Sequence, residues 1–176
     1  MIRGFAAGAK APSGGGAPSL EEEYRVIMQE EIRIAVALVT RENGDTLLVR
    51  KRGGPQFMQA GGRIRDGEVP KATLARRLHE ELGILIPPSR MAPFGCFEAE
   101  AADETDHLLV AYVFRVQLED EVIAPTSEID EARWMPIQDT PTLPLAPLTR
   151  NHILTLFWQM QFGTDLPHQH GREAAA

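Results

Sequence analysis

Apolar and polar positions follow two different periods along this chain, and each change of period marks an element. From Ile32 to Thr40 the run IRIAVALVT is β-branched and strongly apolar, Glu42-Asn43-Gly44-Asp45 carries turn chemistry, and Thr46 to Arg50 resumes the apolar run. That pattern predicts a β-hairpin. A short apolar piece at Phe57 and Met58 leads to Gly61-Gly62. Between Pro70 and Leu82 the period lengthens, with Leu74, Leu78 and Leu82 recurring every four residues as one buried helical stripe. Pro70 suits the first turn of this helix and Gly83 its C-terminal cap. Ala92 to Glu98 and Leu108 to Leu118 read as strands flanking an acidic loop, Glu100 to Asp106. Glu131 to Met135 reads as a further short strand and Asn151 to Phe162 as a second helix. The expected fold is mixed α and β, with helices packed on a curved or split sheet.

Composition sets the bounds of this domain. A chain of 176 residues with 43% hydrophobic content can bury one sizeable core. Residues 1–19 are rich in Gly, Ala, Ser and Pro and read as a flexible tail, residues 20–165 as the domain, and residues 166–176 as a second flexible tail. His168 and His170 fall in that tail and read as solvated. The lone cysteine, Cys96, forms no internal bridge and reads as a small buried hydrophobe between Phe94 and Phe97.

Charge narrows the partners. A net charge of −7 argues against a nucleic-acid polymer, whose binders draw most of their affinity from basic surface, while a small anion in a local cationic patch remains compatible. No apolar run has the length of a signal peptide core or a membrane span, so a cytoplasmic protein without a membrane partner is expected. A homodimer is compatible with everything above.

The chemistry concentrates in GRIRDGEVPKATLARRLHEELGI, residues Gly62 to Ile84. On a helix, residues three and four apart share a face, so Arg77, Glu80 and Glu81 are expected to project together, away from the leucine stripe. Two adjacent carboxylates on a rigid helix suit Mg²⁺, which takes one or two protein carboxylates and completes its shell with water and phosphate oxygens. Arg50 and Arg52 end the second strand on one face and, with Arg63, are candidates to hold substrate phosphate through the planar guanidinium fork. Glu68 and Arg76 suit a salt bridge fixing the loop to the helix. His79 and His107 read as surface residues, and Trp134, Phe157 and Trp158 as packing aromatics.

This stretch resembles the signature of the Nudix hydrolase family: Gly, five residues, Glu, seven residues, Arg-Glu, an aliphatic, any residue, Glu-Glu, any residue, Gly, aliphatic. Gly62, Glu68, Arg76, Leu78, Glu80, Glu81, Gly83 and Ile84 all fall in place. The resemblance implies an α/β/α sandwich with a curved mixed sheet. It also implies a Mg²⁺- or Mn²⁺-dependent pyrophosphohydrolase of a nucleoside diphosphate linked to another moiety. Glu80 and Glu81 would be catalytic metal ligands, joined by a backbone carbonyl at Gly62. In the MutT-like branch a further metal-binding glutamate precedes a tryptophan at a similar distance to that of Glu128 from Trp134, which transfers that role to Glu128.

One position departs from the pattern. Arg77 stands where the family has the glutamate of its Arg-Glu pair, a metal ligand or general base, and a guanidinium does not accept a proton. Some other residue must then act as the base, with Glu98, Glu100, Glu104 and Glu128 as candidates, or turnover is slow. The alternative expectation is a nucleotide-binding module that keeps the fold without hydrolysis.

Overall fold

The computed structural model describes residues 30–100 and 107–164. The two expected tails and most of the acidic loop lie outside the described residues. Among the described residues, seven strands form one mixed sheet. They are β1 (Glu30–Thr40), β2 (Thr46–Lys51), β3 (Phe57–Met58), β4 (Ala60–Arg63), β5 (Ala92–Glu100), β6 (His107–Gln117) and β7 (Ile129–Met135).

Strand β1 is the axis. It runs parallel to β6 along its whole length, from Glu30 opposite His107 to Thr40 opposite Gln117. Strand β5 pairs antiparallel to β6 at the outer edge. On its other side β1 divides: Ile34 to Ala37 pair with β4, and Thr40 alone meets Thr46 of β2. The predicted hairpin is therefore joined only at its tip, because β4 takes the first part of the β1 edge and β2 turns away to β7.

The unbroken apolar run of β1 has a simple cause: both of its faces are covered. Ala35, Ala37 and Val39 join the core under helix α1 (Pro70–Leu82), whose Leu74, Leu78 and Leu82 are fully buried. Val36 and Leu38 face the opposite core, which contains Phe57, Ile153, Leu154 and Phe157. Helix α1 begins with Pro70 and ends at Gly83, whose left-handed φ of 68° lets its N–H bond the His79 carbonyl, the capping expected from sequence.

The second helix is less regular than its sequence suggests. Residues Thr149–Ile153 form a π-turn, and α2 proper is Leu154–Phe162. The Thr155 hydroxyl donates to the Arg150 carbonyl, five residues back, at 2.8 Å across this wider turn. Cys96 is also a correction: it is exposed rather than buried, because it lies on an edge strand. Among the described residues, no helix is long and apolar enough to cross a membrane.

Candidate active site

The face of α1 beside the leucine stripe carries Thr73, Arg77 and Glu81 at four-residue spacing and packs beneath β4. Glu81 is completely buried. A carboxylate so placed is costly unless its oxygens are matched by donors, and here they are. Its Oε2 accepts the Gly61 backbone N–H at 2.9 Å, while its Oε1 meets Lys51 Nζ at 3.1 Å and the Arg77 guanidinium.

Arg77 joins the remaining acids. Its Nη1 donates to Glu80 at 2.8 Å, and its Nη2 donates to both Glu81 and Glu128, the latter at 2.9 Å. Three carboxylates thus converge on one guanidinium. Burial by itself would lower the pKa of Arg77, but the charge of Glu81 and the hydrogen bonds to Glu128 and Glu81 raise it further above the ordinary arginine range. The side chain stays protonated. Its Nε is buried and has no hydrogen-bond partner.

Local backbone chemistry builds this arrangement. At Gly61, φ is +143°, and a Cβ there would stand 2.2 Å from the Ala35 carbonyl oxygen, so only glycine lets β4 lie against β1 at this point. At Gly62 a Cβ would stand 2.8 Å from Arg77 Nε, so the second glycine makes the passage through which the guanidinium reaches the acids. Glu128 comes from a different segment, tied to the last turn of α1. The Thr126 hydroxyl donates to the Glu80 carbonyl at 2.7 Å, and the Thr126 and Ala124 N–H groups bond the carbonyls of Glu81 and Leu82. These bonds use helix carbonyls that have no intrahelical partner. The Arg52 N–H bonds the Glu128 carbonyl, fixing the end of β2 to the same loop.

Glu68 and Arg76 form the expected brace, with Nη2 of Arg76 2.8 Å from Oε2 of Glu68 and Nη1 3.1 Å from Glu80. Hydrogen bonds from Arg76 and then Thr73 hold the Glu68 carboxyl down at about 2.

The structure brings Glu80, Glu81 and Glu128 together at Arg77 beside Gly62, and it pairs Arg50 and Arg52 with acids outside that cluster. Arg50 pairs with Asp130 and Glu131 at 3.5 and 3.4 Å, Arg52 is exposed with Asp130 at 4.0 Å, and Arg63 is exposed on β4. Sequence reasoning missed Lys51. Strand alternation already set it on the face opposite Arg50 and Arg52, and that is the face that meets the acids. Its Nζ bridges Glu81 and the Gly61 carbonyl, the latter at 2.9 Å. The loop carbonyl that shares the Lys51 ammonium with Glu81 is that of Gly61. Thr126 was also missed, and no spacing rule singles it out. His79 and Glu98 are exposed, and Glu104 lies outside the described residues.

Three carboxylates and a carbonyl are the donor types a hard divalent cation takes. The cation between the carboxylates here is Arg77. Among the described residues no group of three acidic, histidine or cysteine side chains stands ready to hold an ion with the side chains as they lie. The donor types therefore suit a hard divalent cation, and their meeting point is taken by the Arg77 guanidinium.

The family model described as the NUDIX domain matches residues 31–157. The NAD-capped RNA hydrolase NudC of Stutzerimonas stutzeri (strain A1501) is 28% identical over 138 residues, which cover 75% of this chain and 46% of that protein. The chain thus spans about half the length of this curated relative. The solution structure of the E. coli ORF135 protein superposes with a TM-score of 0.64 at 20% identity, covering 84% of this chain and 96% of that one. The NUDIX domain of Shewanella oneidensis NrtR, complexed with ADP ribose, gives 0.62 at 14% identity over 77% and 91% of the two chains.

Proposed function

The chain belongs to the Nudix hydrolase family, and from that premise we propose that it is a Nudix-type hydrolase that cleaves a nucleoside diphosphate linked to another moiety with the help of Mg²⁺ or Mn²⁺. The observation that carries this reading is the meeting of Glu80, Glu81 and Glu128, from two separate segments, at one cation beneath Gly61 and Gly62. Those carboxylates and the loop carbonyl of Gly61 or Gly62 would hold the metal. When bound, the ion neutralises diphosphate charge and polarises a phosphorus.

The other roles fall to side chains. Arg50, Arg52 and Arg63 supply donors for the phosphates, Arg52 with a side chain 69% exposed and the least committed geometry of the first two. Of the four candidate bases, Glu128 lies in the centre, and at 52% exposure it is open to water where Glu81 is not. We assign it the proton of the attacking water. The water oxygen bonds to phosphorus, the bridging P–O bond breaks, and the leaving phosphate departs as an anion. The substrate class is supported by NAD-capped RNA, named for the bacterial relative, and ADP ribose, bound by the Shewanella domain, each containing a nucleoside diphosphate joined to a further group.

The position of Arg77 favours a second reading, a non-hydrolysing nucleotide-binding module. A panel of ADP-ribose, NAD, dinucleoside polyphosphates and nucleotide sugars with Mg²⁺ or Mn²⁺ separates the two. Release of a mononucleotide supports hydrolysis, and binding without products supports the module.

A further inference from the structure

We infer that Arg77 is a built-in competitor for the divalent cation, a tethered positive charge that keeps the acidic centre closed to metal until it is displaced. This rests on the reading of Glu80, Glu81 and Glu128 as a metal site. Every hydrogen bond that Arg77 makes in the centre goes to one of these three carboxylates. Its side chain is 16% exposed and Glu81 is wholly buried, so that contact is shielded from water while those to Glu80 and Glu128 are not, and its charge persists at all working pH values. Lys51 adds a second positive charge on Glu81. Three carboxylates facing two fixed cations leave little net negative charge to attract an ion.

The contact is nevertheless displaceable. Arg77 reaches the acids past Gly62, which has no side chain to hold it there, and its buried Nε has no acceptor in this position. A guanidinium that leaves one buried donor unmatched is held less firmly than one fully satisfied. The fold survives its departure, because Glu81 keeps Lys51 and the Gly61 N–H. Arg77 therefore sets the metal affinity of the centre without being needed to build it.

The test is calorimetric titration of the full chain with Mn²⁺, without nucleotide, for wild type, Arg77→Gln and Arg77→Lys, with thermal melts in chelator and in Mn²⁺. Arg77→Gln is expected to bind Mn²⁺ at least about tenfold more tightly than wild type, since a unit positive charge 2.8 Å from Glu80 and 2.9 Å from Glu128 is removed. Arg77→Lys, which keeps the charge on a point donor without the fork, is expected to fall between them. In chelator Arg77→Gln should melt lower than wild type, and Mn²⁺ should restore it, whereas wild type should respond little. Equal Mn²⁺ affinity in wild type and both variants overturns the inference and leaves the metal-site reading standing. Absence of Mn²⁺ binding in all three, with folded variants, overturns both.

Discussion

The guanidinium of Arg77 lies against the wholly buried carboxylate of Glu81, one helical turn further along α1. In the family signature both positions are acidic, so one substitution converts a repulsion that needs a metal ion into an internal ion pair. On the proposed reading of the centre as a metal site, the charge at residue 77 selects which cation it holds.

Restoring the acid should reverse that choice. Arg77→Glu is expected to raise Mn²⁺ affinity and to increase hydrolysis of the best substrate at least about tenfold, a modest share of what a positioned acid or base supplies. Metal titration with separate kcat and KM values checks it. Unchanged metal affinity with a raised KM would instead assign Arg77 to a substrate phosphate.

Glu81 now has a structural role that its sequence position concealed. Read from sequence it serves metal alone, but Glu81→Gln removes the anion that matches Arg77, Lys51 and the Gly61 N–H. Breaking a buried ion pair from one side costs about 3 kcal/mol or more. Urea denaturation of the metal-free protein should show that loss, and a midpoint equal to wild type would mean that the pairing contributes nothing.

Gly61→Ala should be the most damaging small substitution in the loop. The added methyl meets the Ala35 carbonyl oxygen at 2.2 Å on a backbone that side chains rarely adopt. Strain of this kind costs on the order of 1–3 kcal/mol before the clash is counted. The three atoms nearest a methyl at Gly62 all belong to the Arg77 side chain, which can shift, so Gly62→Ala should melt higher than Gly61→Ala. The paired melting temperatures decide it.

Thr126→Val keeps the shape of the loop and deletes its bond to the Glu80 carbonyl. A stability loss of about 1 kcal/mol is expected. Because Glu128 follows two residues later, Mn²⁺ affinity in the Arg77→Gln background should fall as well. Affinity that stays constant would detach Thr126 from the positioning of Glu128.

Acid titration should reveal the Glu68 brace. Its folded pKa is depressed from 4.5 to about 2, first by the Arg76 hydrogen bond and then by Thr73. A depressed acid contributes stability that is complete above its unfolded value and is lost as pH falls toward its folded value. The wild-type advantage over Glu68→Gln should therefore be full above about pH 4.5 and nearly gone near pH 2. A difference independent of pH would show that the brace acts through packing rather than charge.

The sequence by itself determined what depends on local periodicity and spacing. The stripe Leu74, Leu78, Leu82 between Pro70 and Gly83 could only be one buried face of a capped helix, and it places Arg77, Glu80 and Glu81 on neighbouring faces wherever the helix lies. The β-branched run at Ile32 to Thr40 marks a strand in the same way, by its own side chains. Tertiary structure decided what depends on contacts between segments distant in sequence. Whether Lys51 or Arg50 meets the acids follows from which face of β2 turns inward after β1 divides between β4 and β2. The burial of Glu81, the passage over Gly62 and the reach of Glu128 across 51 residues to Arg77 follow from how β4 and the Thr126 loop close over α1. Spacing within a helix fixes relative direction. Only packing fixes what stands opposite, and for a charged side chain that decides whether it remains an open metal ligand or half of an ion pair.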